Sequence, residues 1–230
     1  MDRTISTPAT PREVSITCEP VHLSLLIPAF NEEARLGATL DAVVAQLAAE
    51  AYRSEAIVVL DGCTDGTRAL VDRYVGVHGQ LELRLLDNPV NRGKGACVRQ
   101  GMLAAGGRYR VFTDADLSYP LDQLPTLLGA LEAGAGVAVA SREASAVRYQ
   151  APARRLVTLL SRWVMHTFFV PGVPDTQAGF KAFTAEVADD LFGVQRLSGF
   201  GFDVEILHIA AMRGYPIRPL ALEWRDVPGS

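Results

Sequence analysis

Two carboxylates two residues apart, Asp114 and Asp116, follow directly on the run Tyr109-Arg110-Val111-Phe112-Thr113. An apolar run that ends in acids reads as a buried strand delivering charge to the edge of a sheet. Carboxylates in that position cost free energy unless a cation or hydrogen bonds meet them. A divalent metal ion carrying a diphosphate would meet them, because Mg²⁺ typically takes one or two carboxylates and completes its shell with phosphate oxygens and water. On these residues alone the alternative is an exposed acidic turn through Leu117-Ser118-Tyr119-Pro120.

Other segments carry groups of the same kind. Asp61 stands at the carboxyl end of Ile57-Val58-Val59-Leu60, where it could accept the ring N–H of a nucleobase or a ribose hydroxyl. Its neighbours Thr64 and Asp65 are better suited to capping the next helix. In Asn91-Arg92-Gly93-Lys94-Gly95 two glycines flank a lysine beside an arginine at a helix start, which suggests an anion site. The spacing is not that of the nucleotide-triphosphate loop, and a solvated turn is the plainer alternative. In Pro28-Ala29-Phe30-Asn31-Glu32-Glu33 the proline ends a strand, Asn31 caps a helix, and Glu32 and Glu33 fall in its first turn. Ser141-Arg142-Glu143 closes the series.

The elements that must position these groups alternate regularly. Strands are expected at Leu23–Ile27, Ala56–Leu60, Leu81–Leu86, Tyr109–Thr113 and Val137–Ala140, with helices over 32–49, 66–77, 94–105 and 121–133 between them. Four β-then-α units in succession imply a mostly parallel central sheet with helices on both faces. In such sheets ligands bind beyond the carboxyl ends of the strands, which is where all the segments above fall. That coincidence of position argues for a metal-bound nucleotide more strongly than any one motif.

The chain of 230 residues fits a single α/β domain after a loose Thr, Ser and Pro-rich arm at 1–20, and a hydrophobic fraction of 49% is ample for its core. A net charge of −4 argues against nucleic acid as the main partner. Cys18, Cys63 and Cys97 are widely spaced and odd in number, which suggests reduced thiols and an intracellular protein. Neither a signal peptide nor an apolar run of about 18 residues is evident. His22, His78, His166 and His208 show no metal-ligand spacing.

With these motifs in hand, the chain resembles glycosyltransferases of family 2 with the GT-A, or nucleotide-diphospho-sugar transferase, fold. The resemblance rests on Ile27–Glu32, Leu60–Thr67, Asn91–Gly95, Thr113–Asp116, Asp175-Thr176-Gln177-Ala178-Gly179-Phe180-Lys181 and Gly199–Glu205, and covers roughly residues 22–226. Asp116-Leu117-Ser118, the Asp175 segment, Phe202–Glu205 and Glu223-Trp224 make it most similar to the dolichyl-phosphate β-glucosyltransferase group. Cys63 departs from the serine common there, a small-for-small exchange.

The resemblance implies a domain over 21–230, with a nucleotide-binding half at about 21–118 and an acceptor-binding half at about 119–230. It implies that Pro28, Ala29, Asn31, Glu32, Asp61, Lys94, Asp114 and Ala115 hold the nucleotide sugar, with Asp61 reading the base, and that Asp116 ligates Mg²⁺ or Mn²⁺. The expected reaction moves a hexose, UDP-glucose being the favoured donor, to a polyprenyl phosphate with inversion. That phosphate is already anionic, so it needs cations rather than a strong base. Arg142, Arg154 and Arg155 are the candidates, with Gln177 beside them. A hydroxyl acceptor would instead require a base. By the resemblance Asp203 is then best placed and Asp175 next, with Asp114 the other catalytic candidate; for Asp203 a positioning role is favoured, a helix-start carboxylate and a sugar-hydroxyl contact being the alternatives. A soluble hydroxyl acceptor and a catalytically silent nucleotide-sugar module are the competing readings. The stripe Leu156, Leu159, Leu160, Trp163, Val164 and Phe168, accompanied by arginines, fits either a core helix or one lying in a membrane interface. A lipid acceptor would place the protein in the cytoplasm, peripheral at the cytoplasmic face of a membrane.

Overall fold

The computed structural model describes residues 20–142 and 172–226. The N-terminal arm, Arg154, Arg155 and the stripe from Leu156 to Phe168 therefore lie outside the described residues. At the centre of the sheet is β1 (Leu23–Ala29), whose Leu-Ser-Leu-Leu-Ile run is buried on both faces. It pairs in parallel with β2 (Ser54–Asp61) on one side and with β5 (Tyr109–Phe112) on the other. Beyond β2 lie β4 (Leu81–Asn88) and the short edge strand β3 (Gly76–His78). Beyond β5 come β7 (Lys181–Thr184), β6 (Val137–Arg142) and β8 (Ile217–Leu222). The order is β3-β4-β2-β1-β5-β7-β6-β8, with four parallel and three antiparallel pairings. The sheet is thus mostly parallel, as expected, with β7 inserted antiparallel between β5 and β6.

Helices cover both faces. On one face α1 (Leu36–Leu47) buries Leu36, Leu40, Val43 and Leu47 at helical spacing, beside α4 (Leu124–Glu132). On the other, α3 (Lys94–Ala104), α5 (Ala185–Val194) and α6 (Phe202–Met212) close over Leu26, Ile57, Phe112 and Phe183. The chain leaves β1 for β2 on one side and returns to β5 on the other, so the carboxyl end of β1 is a topological switch point, where open α/β sheets bind ligands.

Three expectations are corrected. Pro28 does not end its strand: it pairs with Val59 inside β1. Pairing with β5 stops at Leu26 opposite Phe112, and the Leu26 carbonyl faces that side, accepting from Thr113 N–H at 2.9 Å. Pro28, two residues on, points the same way, where no ladder bond needs its missing N–H. The helix expected over 66–77 is only Thr67–Val71 (α2); Gly76 and Gly79, both at positive φ, turn the chain into the β3–β4 hairpin. The first helix begins at Leu36 rather than near residue 32, and Asn31, at φ 54°, caps no helix.

Candidate active site

Asn31 joins two loops instead. Its Oδ1 accepts from Thr64 N–H at 2.8 Å, and in the same seam Thr67 Oγ1 accepts from Glu32 N–H and the Glu33 carboxylate accepts from Gly66 N–H. Asp65 accepts from Thr67 N–H, but the residue at the start of α2 is Gly66, so neither Asp65 nor Thr64 stands at the cap position expected of them. The loop after β1 and the loop after β2 are therefore one hydrogen-bonded unit.

The loop after β4 is fastened to the same unit by Asp61. This carboxylate is 4% exposed, and its two oxygens accept from Arg92 N–H at 2.6 Å and Gly93 N–H at 2.9 Å. The N–H of Ala96, in the first turn of α3, reaches the carbonyl of Ser198 at 3.1 Å. The anion site read into Asn91–Gly95 thus already holds an anion, the chain's own Asp61, and a protein carbonyl occupies part of the helix start. Gly62 makes the contact possible: at φ 70°, an added Cβ would stand 2.4 Å from Asn91 N. Asp61→Asn would offer one acceptor and one donor to two N–H donors. It is expected to lower stability by about 2 kcal/mol in urea unfolding.

Around this unit opens a cleft of about 450 Å³ at the carboxyl ends of β1, β2 and β5. Pro28, Ala29, Glu32, Asp61, Lys94, Asp114, Ala115 and Asp116 all line it, together with Phe30, Arg35, Asn91, Cys97 and Phe200. Lys94 Nζ donates to Asp114 Oδ1 at 2.5 Å and lies 5.9 Å from the centre of the Phe200 ring. Asp116 accepts from Ser118 N–H through Oδ1 at 2.9 Å, in a turn where Leu117 takes φ 48°. Its Oδ2 carries no hydrogen bond among the described residues. Glu32 is gripped by Arg35, whose guanidinium also feels Asp114 and Asp116. The Cys97 thiol is pushed up to about 12, by burial first and Asp61 second, so it stays protonated on the cleft floor.

Other expected site residues lie apart from this cleft. Asp203 is buried in the first turn of α6, in an ion pair with Lys181, whose Nζ also donates to the Ala178 carbonyl. Burial pushes the Asp203 carboxyl up, against the pull of Lys181. Arg142 is held by Asp175, Nε to Oδ2 at 2.7 Å and Nη2 to Oδ1 at 3.3 Å, and lies over the Trp224 ring. Gln177 is exposed, with its N–H on the same Asp175. Burial would raise the Asp175 carboxyl, but the Arg142 guanidinium outweighs it and holds the group below the usual range. A depressed carboxyl contributes stability that is present above the ordinary Asp value of about 3.9 and lost as pH falls through the folded value. Asp175→Asn is therefore expected to flatten the fall of melting temperature on acidification below about pH 4.

Arg35, Phe30, Cys97 and Phe200 are the cleft's unexpected members. Arg35 carried a signal: an arginine just before a helix start opposes the helix dipole and calls for a nearby carboxylate.

Among the described residues no cluster of three or more His, Cys, Asp or Glu could cage a metal ion. One carboxylate oxygen of Asp116 opening on a cleft lined by Lys94 instead suits a hard cation that brings its own phosphate ligands. No helix among the described residues is long and apolar enough to cross a membrane.

Comparison with known proteins bears on these features. The profile described as Glycosyl transferase family 2 matches residues 24–191. The dolichyl-phosphate beta-glucosyltransferase of Drosophila melanogaster is 35% identical over 224 residues, covering 91% of this chain and 69% of that protein. The Homo sapiens protein of the same name is 31% identical over 222 residues, covering 90% and 68%. Among solved structures, glucosyl-3-phosphoglycerate synthase from Mycobacterium tuberculosis in complex with UDP aligns with a TM-score of 0.67 at 22% identity, over 91% of this chain and 73% of that one. The same enzyme with Mn²⁺, UDP and glucosyl-3-phosphoglycerate gives 0.62 at 23%, over 90% and 73%. At such identities the likeness speaks for the fold.

Proposed function

Since the chain belongs to glycosyltransferase family 2, and is thus a glycosyltransferase on a GT-A fold, we propose that it moves a hexose from a nucleotide sugar to a polyprenyl phosphate. UDP-glucose is the favoured donor, dolichyl phosphate the type of acceptor, and inversion at the anomeric carbon the outcome. One observation carries this reading. Asp61, Lys94, Asp114 and Asp116, from three separate loops, line one cleft at the switch point of a chain 35% identical to a dolichyl-phosphate β-glucosyltransferase.

Each group has a task there. Asp61 and the joined loops present a wall to the base. Lys94 meets the diphosphate charge, and Asp114 faces the ribose or sugar. Asp116 would hold Mg²⁺ or Mn²⁺, which as a Lewis acid offsets the charge that develops on the departing diphosphate. A phosphate acceptor has a second pKa of about 6 and attacks as an anion near pH 7. No general base is then needed, which agrees with Asp203 being buried in an ion pair rather than lining the cleft. The acceptor phosphate would meet Arg142, whose Nη1 takes no part in the Asp175 pair. A lipid acceptor places the reaction at a membrane surface, with the protein peripheral to its cytoplasmic face.

The test is transfer of radiolabel from UDP-glucose, in the presence of Mn²⁺, to polyprenyl phosphate and to a panel of hydroxyl acceptors. Label is expected in the lipid extract. Label confined to soluble products would overturn the acceptor assignment.

A further inference from the structure

Position 179 is occupied by glycine for a reason that its own backbone does not supply. Its φ lies outside the left-handed region, so any L-residue could adopt the conformation. What excludes a side chain is Asp114. A Cβ on Gly179 would lie 1.9 Å from Asp114 Oδ2, 2.5 Å from Cγ and 2.9 Å from Oδ1. The carboxylate therefore rests against the bare backbone of residue 179, while its Oδ1 receives Lys94. That backbone is held from behind. Lys181, 1% exposed, donates to the carbonyl of Ala178 and to Asp203, 4% exposed, and Phe180 is fully buried between them in sequence.

We propose that Gly179 is a positioning residue for donor binding: the Lys181–Asp203 pair fixes the backbone at 178–179, and the missing side chain forms the seat that turns the Asp114 carboxylate toward Lys94. The inference rests on the donor-site reading above and adds a residue that does not itself line the cleft. An added methyl would meet the far end of a flexible side chain, not backbone. Rotation of Asp114 would relieve the clash, so the damage falls on function rather than on the fold.

Gly179→Ala tests this in the full chain. Its melting temperature is expected within about 3 °C of the parent. UDP affinity in the presence of Mn²⁺, read by calorimetric titration, is expected to fall tenfold or so, and kcat/KM for UDP-glucose about 100-fold. The KM for polyprenyl phosphate stays where it was. Because Asp114 is the group displaced, Gly179→Ala should add little to Asp114→Ala, a departure from additivity that a merely structural glycine would not give. Parental UDP affinity, a collapse of the melting temperature, or full additivity with Asp114→Ala would each overturn the proposal. If the parent chain takes up no UDP at all, the donor-site reading fails and the inference with it. If UDP binds but no lipid product forms, only the acceptor assignment fails and the titration still decides the role of Gly179.

Discussion

Asp116→Asn is expected to reduce glycosyl transfer about a thousandfold, the equivalent of roughly 4 kcal/mol of transition-state stabilisation. Asparagine keeps an acceptor for Ser118 N–H, so the turn that places residue 116 survives. What goes is the negative charge that draws a divalent cation, and with it the cation's hold on the departing diphosphate. The expected signature is UDP binding that no longer tightens on addition of Mn²⁺, at unchanged melting temperature. If Asp116→Asn transfers as well as the parent in buffer containing Mn²⁺, or if the parent keeps its full activity in chelator-treated buffer, the metal role assigned to this residue is wrong.

Lys181→Met is expected to cost about 3–5 kcal/mol of stability, because it leaves Asp203 buried without its cation. The pair is almost wholly out of solvent, so water cannot screen the loss. Pairing Lys181→Met with Asp203→Leu removes both charges and should recover most of the stability, since an apolar pair of similar volume is often as stable as a buried ion pair. The single variant should also acquire a pH dependence. Burial already pushes the Asp203 carboxyl up with Lys181 present, and without it nothing comparable opposes that push. A raised carboxyl folds best below its unfolded value and loses stability as pH rises through its folded value. Lys181→Met should therefore be less destabilised at pH 5 than at pH 8, which chemical denaturation at the two values would show.

The half of the chain up to Asp116 was legible in the sequence because β1, β2 and β5 are buried on both faces. Such strands read as unbroken Val, Ile and Leu runs, and the residue after each run is then fixed at the sheet's carboxyl edge. That is why Asp61, Asp114 and Asp116 could be placed at one sheet edge from the sequence, while Lys94 was placed there by the glycines that flank it at a helix start. Their partners were less accessible. The mutual satisfaction of Asp61 with the Arg92 and Gly93 amides joins residues 31 and 32 positions apart, and no local pattern announces it. It also recasts two signals, the unexplained acid and the glycine-flanked lysine, as halves of one contact. The misjudged helix after Gly66 had a local cue, two glycines three residues apart that favour a turn. The half of the chain beyond Asp116 was harder. Strand β7 opens with a buried lysine, which no hydrophobic pattern would place in a core. Its antiparallel insertion between β5 and β6 breaks the β-then-α rhythm on which the rest of the reading relied.

The bond between Asp61 and the loop after β4 bears on how this cleft would change its preference for a base. Three loops that line the cleft are already immobilised by one another, so binding there would order little additional chain and lose little entropy. The same arrangement makes them a single inherited unit. A loop exchanged alone, from a relative with a different donor, would break the bonds that Asn31, Glu32 or the buried Asp61 make to the neighbouring loop. Donor preference should accordingly transfer between proteins only when residues 28–33, 61–67 and 88–95 are exchanged together.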